Sequence, residues 1–196
     1  MVLTPKGGGD YRGIGLVEVI WKAVAVILNR CFTAAITYHH FLHRFQSGRG
    51  TGTATLKLKL LQQVASFREA ALHTIFLDLH KDYNALDRSR CLGILEGYGL
   101  GTGALHTLQH YWERLKMMAR VGGYYDAPFR EERGVTQGDP LSPTIFNVVV
   151  DAVVCNWGSM LVAEREEQKE DKSRGDEGDR TQMVGMMIRY RYGERQ

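Results

Sequence analysis

Apolar residues recur at helical spacing through Leu16, Val19, Ile20, Ala23, Ile27, Cys31, Ala34 and Tyr38, which predicts a long helix over residues 16–45 with these positions on its buried face. A second helix is expected over about 55–71, after a glycine-rich loop. Residues 74–79 then form a short β-favouring run, apolar except for Asp78, that fits a buried strand. Asp87 or Ser89 caps a further helix that Gly97 or Gly99 ends. An amphipathic helix carrying Tyr111 and Trp112 is expected over 105–118. Residues 118–121 and 124–129 read as a hairpin about Gly122-Gly123, since paired glycines suit a tight turn. Ser142 and Pro143 make a good N-cap and first turn. The helix behind them runs on Ile145, Val148, Val149, Ala152, Val153, Trp157 and Leu161 to about residue 163. Helices and short strands in this order describe an α+β fold.

Composition sharpens that outline unevenly. The chain has 196 residues, 44% of them hydrophobic, enough for a real core. Its net charge of +3 hides an asymmetry. Residues 1–60 hold eight Lys/Arg against Asp10 and Glu18, a net +6, which suits a surface that meets a polyanion. Residues 164–182 hold eight acidic and five basic side chains and almost no apolar ones, so a disordered linker is expected there. Cys31, Cys91 and Cys155 are odd in number and sit among apolar neighbours; they are expected to be small buried hydrophobes in a reducing compartment. No apolar run reaches spanning length and no signal peptide heads the chain, so an intracellular location without membrane contact is expected.

The chemistry starts at Asp78. An ionised carboxylate inside a buried strand needs a cation. A strand end is a good place to hold Mg²⁺, which takes one or two carboxylates together with substrate phosphates; an Asp capping the next turn is the plainer alternative. The glycine-rich residues 5–15 carry Lys6 and Arg12 but match neither a dinucleotide fingerprint nor a P-loop. A flexible backbone with two cations can still close over phosphates. Arg49 lies in the second glycine-rich loop, before a helix start, and makes that turn anion-receptive, with a plain helix-initiating loop as the equal alternative. Gly138, Asp139, Pro140 and Ser142 build a rigid turn, which leaves an exposed Gln137 at its tip without a structural reason.

In order, the segments Pro5-Lys to Arg12, Phe45-Gln-Ser-Gly-Arg-Gly-Thr-Gly-Thr, Phe76-Leu-Asp-Leu-His-Lys with Tyr83, and Arg133-Gly-Val-Thr-Gln-Gly-Asp-Pro-Leu-Ser-Pro with Phe146-Asn147 resemble the reverse transcriptase family. The version is that of retroelements without long terminal repeats and of intron-encoded polymerases, and the resemblance covers most of residues 4–157. It implies a partial right-hand polymerase: a fingers-like basic region over 1–72, an incomplete palm over 73–163, a charged tail over 164–196 and no thumb. RNA template, DNA primer and dNTP are the partners it implies, with Mg²⁺ as cofactor and two-metal nucleotidyl transfer as the reaction. By position Asp78 resembles the first catalytic carboxylate and metal ligand. Tyr83 resembles the aromatic gate that excludes a 2′-hydroxyl, and Lys6 and Arg12 the fingers cations on the triphosphate. Gln137 and Gly138 resemble the loop against the incoming nucleotide and template, and Arg49 a contact to the template backbone.

Two departures qualify the resemblance. Where the family carries Lys-Ala-Tyr-Asp, this chain has Lys81-Asp82-Tyr83-Asn84, and Asp82 adds negative charge beside the triphosphate path. The family's next motif is an aromatic-x-Asp-Asp hairpin, yet no Asp-Asp pair occurs in these residues. Without it the strand at 74–79 is expected to keep an unpaired, aggregation-prone edge. An active polymerase, a non-catalytic remnant that binds RNA or hybrid duplex, and a degenerate reading frame are the three readings left. Oligomeric state is not legible.

Overall fold

The computed structural model describes residues 1–196 except 8–9, 40–41, 78, 80–81, 122, 173–182 and 189–196. In chain order it contains β1 (Val2–Gly7), β2 (Asp10–Ile14), α1 (Val19–Ala35), α2 (Thr51–Phe67), β3 (Leu72–Leu77), α3 (Asp82–Ala85), α4 (Arg88–Gly97) and α5 (Thr102–Arg114). Four two-residue strands follow, β4 (Lys116–Met117), β5 (Arg120–Val121), β6 (Tyr124–Tyr125) and β7 (Phe129–Arg130), then α6 (Ser142–Lys172) and β8 (Met183–Ile188). This is the α+β class expected. The chain divides into two compact units, one from Met1–Thr37 and His80–Val149, the other from Tyr38–Leu79 and Val150–Tyr192.

In the first unit β1 and β2 form an antiparallel hairpin, Val2 opposite Ile14, with a bulge between Pro5 and Gly7. Val2 also pairs in parallel with Arg120, so the four strands run in the order β2-β1-β5-β6. The hairpin lies where the paired glycines put it: Arg120 faces Tyr125 and Val121 faces Tyr124, with Gly123 at φ 89°. Lys116 opposite Arg130 and Met117 opposite Phe129 continue the ribbon below the tip. Asp87 caps α4 by accepting from the Arg90 amide at 3.0 Å, and Gly99 follows the helix at φ 84°.

The first helix corrects the hydrophobic reading twice. It ends at Ala35, because the β-branched pair Ile36-Thr37 turns extended; Ile36 has ψ 124°, and its amide closes on the Phe32 carbonyl at 2.9 Å. Its buried residues are Ala25 and Phe32, followed by Ile36, and not the stripe that the Val and Ile positions suggest. Val19 is 83% and Ile20 80% exposed. Trp21 and Asn29 lie on the inward side and make polar bonds there, so counting aliphatic residues selects the wrong face. Of the cysteines only Cys91 is buried; Cys31 and Cys155 are exposed.

The second unit holds α2, β3, the later part of α6 and β8. The α6 helix does not stop near residue 163. It continues to Lys172, because residues 159–172 contain no Gly or Pro and are rich in Glu, Lys, Arg and Gln, all good helix formers. Residues 173–182 lie outside the described ones. One edge of β3 is covered: β8 pairs with it in parallel, Leu72 opposite Met183 through to Leu77 opposite Ile188.

Candidate functional site

Tyr83 is held from two directions. The chain at Gly134 and Val135 runs against α3: the Gly134 amide donates to the Leu86 carbonyl at 2.7 Å and the Val135 amide to the Tyr83 carbonyl at 2.9 Å. Gly134 has φ 83°, and a Cβ there would lie 2.7 Å from both the Asn84 Cα and the Tyr83 oxygen. Only glycine admits so close an approach. On its other side the half-buried Tyr83 ring stacks on Phe146 of α6, centroids 5.1 Å apart and planes 14° from parallel. Arg88 closes the junction. Its Nε donates to the Gly134 carbonyl at 2.9 Å, its Nη1 to the Glu131 carbonyl, and its Nη2 lies 3.6 Å from the Glu131 carboxylate. Burial raises the Glu131 carboxyl above the usual range, against the pull of Arg88.

The Gln137 loop is fastened just as closely. Its carbonyl accepts from the Gly15 amide at 2.7 Å, which ties the end of the β1–β2 hairpin to the loop. Gly138 sits at φ 115° with the Gly15 carbonyl where a Cβ would be, so the glycine is there for a backbone contact. Gln137 itself is half-buried, not an exposed tip. Asp139 carries the loop. One carboxylate oxygen accepts from the Trp21 indole at 2.7 Å and the other from the Leu141 amide at 2.9 Å. Trp21 in turn stacks on Tyr111, centroids 3.5 Å apart. Burial pushes the Asp139 carboxyl up, and the two hydrogen bonds oppose it. Ser142 is the first residue of α6 and not its cap; its hydroxyl donates to the Thr136 carbonyl at 2.8 Å.

In the second unit the exposed Arg49 donates to the Leu42 carbonyl at 3.0 Å. Partial burial, then Lys57 and Arg49, lower the pKa of His43, and partial burial, then Arg49, lower that of Lys57. Three basic groups thus gather at the start of α2, where His43 Nδ1 meets the Thr53 hydroxyl at 2.8 Å. The His39 amide donates to the Asp151 carboxylate at 2.7 Å. Lys6 and Arg12 lie on β1 and β2, with their side chains outside the described atoms.

These elements follow a known order. The model of the reverse transcriptase (RNA-dependent DNA polymerase) family matches residues 4–165. The chain belongs to this family. Its relatives include the Retrovirus-related Pol polyprotein from type-1 retrotransposable element R2 of Popillia japonica, 29% identical over 80% of this chain and 23% of that protein. The Pol polyprotein from type-2 retrotransposable element R2DM of Drosophila melanogaster is 27% identical over 78% of this chain and 14% of its own length. The Transposon TX1 uncharacterized 149 kDa protein of Xenopus laevis is 23% identical over 78% and 12%. The chain therefore spans less than a quarter of the length of these relatives.

A reverse transcriptase domain of retroelement type raises the question of a metal. Asp78 lies outside the described residues. Among the described residues no group of three or more His, Cys, Asp or Glu is placed to hold an ion. The two buried aspartates among the described residues are engaged elsewhere, Asp139 by Trp21 and Leu141, Asp151 by the His39 amide. The described carboxylates do not by themselves form a Mg²⁺ site. Among the described residues no helix is long and apolar enough to cross a membrane. Sequence reasoning missed Trp21 and Arg88, and placed Asp139 only as part of a rigid turn. The signal for Asp139 was local: an Asp just before Pro at a helix start commonly bonds nearby amides. Nothing local marked Trp21 or Arg88.

Proposed function

We propose that these residues form the fingers and part of the palm of a right-hand polymerase, and serve the nucleotide- and template-binding part of RNA-templated DNA synthesis. The junction at Gly15, Gly134 and Gly138 is the observation that carries this reading. It brings the backbone of Tyr83, the Gln137 loop and the end of the β1–β2 hairpin together through close glycine contacts. In this reading Tyr83 lies beneath the sugar of a dNTP, Gln137 and Gly138 against its base and the template, and Lys6 and Arg12 on the triphosphate. Arg49, with His43 and Lys57, faces the template backbone. Asp78 is the carboxylate assigned to catalysis and Mg²⁺. Two-metal transfer requires more than one carboxylate, and these residues hold no Asp-Asp pair.

The 196 residues alone are therefore expected to bind RNA or hybrid duplex without extending a primer. Asp82 favours that non-catalytic reading, because its charge opposes the triphosphate. Primer extension on a primed RNA template with Mg²⁺ and dNTP tests it. Incorporation that Asp78→Ala abolishes would overturn the inactive assignment. Hybrid binding should fall steeply with salt, and Lys6→Glu with Arg12→Glu should weaken it at low salt. Unchanged binding counts against the fingers assignment.

A further inference from the structure

The β4–β7 ribbon has no part in the site above, yet it is built unlike an ordinary surface turn. Tyr124 is 84% and Tyr125 66% exposed, and Phe129 below them is also exposed. Aromatic rings of this size are normally buried, and several together on one short ribbon mark a contact surface. The charge is equally biased. Between Lys116 and Arg130 there are three cations and a single acid, Asp126, whose carboxylate accepts from the Ala127 amide at 2.8 Å. Lys116 and Arg130 face each other across the strands, so like charges are placed side by side. Such a pair is destabilising unless an anion approaches it. Arg120 lies opposite Tyr125 with its guanidinium 5.6 Å from the ring centroid.

We infer that this ribbon is a second nucleic-acid contact, specific for an unpaired strand, which docks by stacking its bases on Tyr124 and Tyr125 and setting its phosphates against Lys116, Arg120 and Arg130. Stacking requires bases that are not already paired, whereas a duplex hides its base faces and offers only phosphates. A partner protein would bury the same rings, but the paired cations favour a polyanion. The inference rests on the proposed nucleic-acid function and adds to it a partner that the Tyr83–Gln137 junction does not address.

Fluorescence anisotropy of the 196-residue chain at low salt tests it, with an oligouridylate of roughly 15 nucleotides and a blunt RNA–DNA hybrid of similar length as probes. Tyr124→Ala with Tyr125→Ala should weaken single-strand binding about tenfold or more, and Arg120→Gln less, with hybrid binding nearly unchanged. The inference is overturned by no single-strand binding in the parent chain, by unchanged binding in the double variant, or by equal loss on both probes. A concentration-dependent dimer lost in the double variant would also overturn it, in favour of a second copy. Ribbon-dependent single-strand binding without any hybrid binding would uphold the ribbon and count against the polymerase reading.

Discussion

Gly134→Ala is the substitution whose cost the structure defines best. An alanine Cβ would lie 2.7 Å from the Asn84 Cα and from the Tyr83 carbonyl oxygen, whereas ordinary contact begins at 3.4 Å. The difference, about 0.7 Å, has to come from backbone on one side or the other. The two segments are joined by hydrogen bonds of 2.7 and 2.9 Å, so a shift of that size stretches both toward or past the limit of a real bond. Holding alanine at φ 83° costs about 1–2 kcal/mol, and each weakened bond about 1 kcal/mol more. The expected loss is about 3–4 kcal/mol, a large part of the roughly 5–15 kcal/mol by which domains are stable. Gly93→Ala supplies the control. A Cβ there meets nothing within 4 Å, and the residue lies inside α4, so the change should stabilise by about 0.5–1 kcal/mol.

Urea unfolding followed by tryptophan fluorescence measures both. Trp21 and Trp112 lie in the first unit and Trp157 in the second, so a Trp157→Phe background makes the signal specific to the unit under test. A Gly134→Ala midpoint within error of the parent would refute the close contact between residue 134 and α3. Equal losses in both variants would show that a general glycine effect is at work.

Two further outcomes follow from the electrostatics. The Asp139 carboxyl has a raised pKa in the folded chain, so the folded state holds its proton longer than the unfolded one, and its contribution to stability falls as pH rises from 3.8 through the folded value. Asp139→Asn should compare better with the parent at the top of that window than at its bottom; a difference that does not change with pH removes the burial argument. For His43 the folded pKa is lowered from 6.5 by burial first and then by Lys57 and Arg49. Arg49→Gln should raise it in a proton NMR titration of the imidazole ring, and an unmoved titration would separate Arg49 from the cluster.

Fold class, the glycine-paired hairpin and the Asp87 cap were legible because each depends on local chemistry. The α1 face was not. Its inward side carries Trp21 and Asn29, which earn their burial through bonds to Asp139 and Thr144, more than 100 residues away in sequence. Periodicity weighs aliphatic side chains and cannot see partners at that distance. Helix α6 passed its expected end for the opposite reason: charged residues were read as a linker although their intrinsic preference is helical. Gln137 and Gly138 were legible as a motif, but the reason for Gly138 lies in the Gly15 carbonyl, a contact that only the folded chain makes.

The departure at Asn84 bears on charge and leaves the junction's architecture alone. Gly134 packs on the Asn84 Cα and the Tyr83 carbonyl, and Val135 bonds that same carbonyl. These are backbone atoms, indifferent to whether position 84 carries Asp or Asn, and the Asn84 side chain is exposed. The Tyr83 ring is set by Phe146. In the proposed reading, the shape of the junction and the charge beside the triphosphate are therefore separate properties. The two properties should also separate by experiment. Asn84→Asp should leave stability within about 0.5 kcal/mol, as exposed surface changes usually do. Asp82→Ala should strengthen dNTP binding at low salt if the triphosphate passes there, and equal affinity with Ala at 82 would remove that path from the reading.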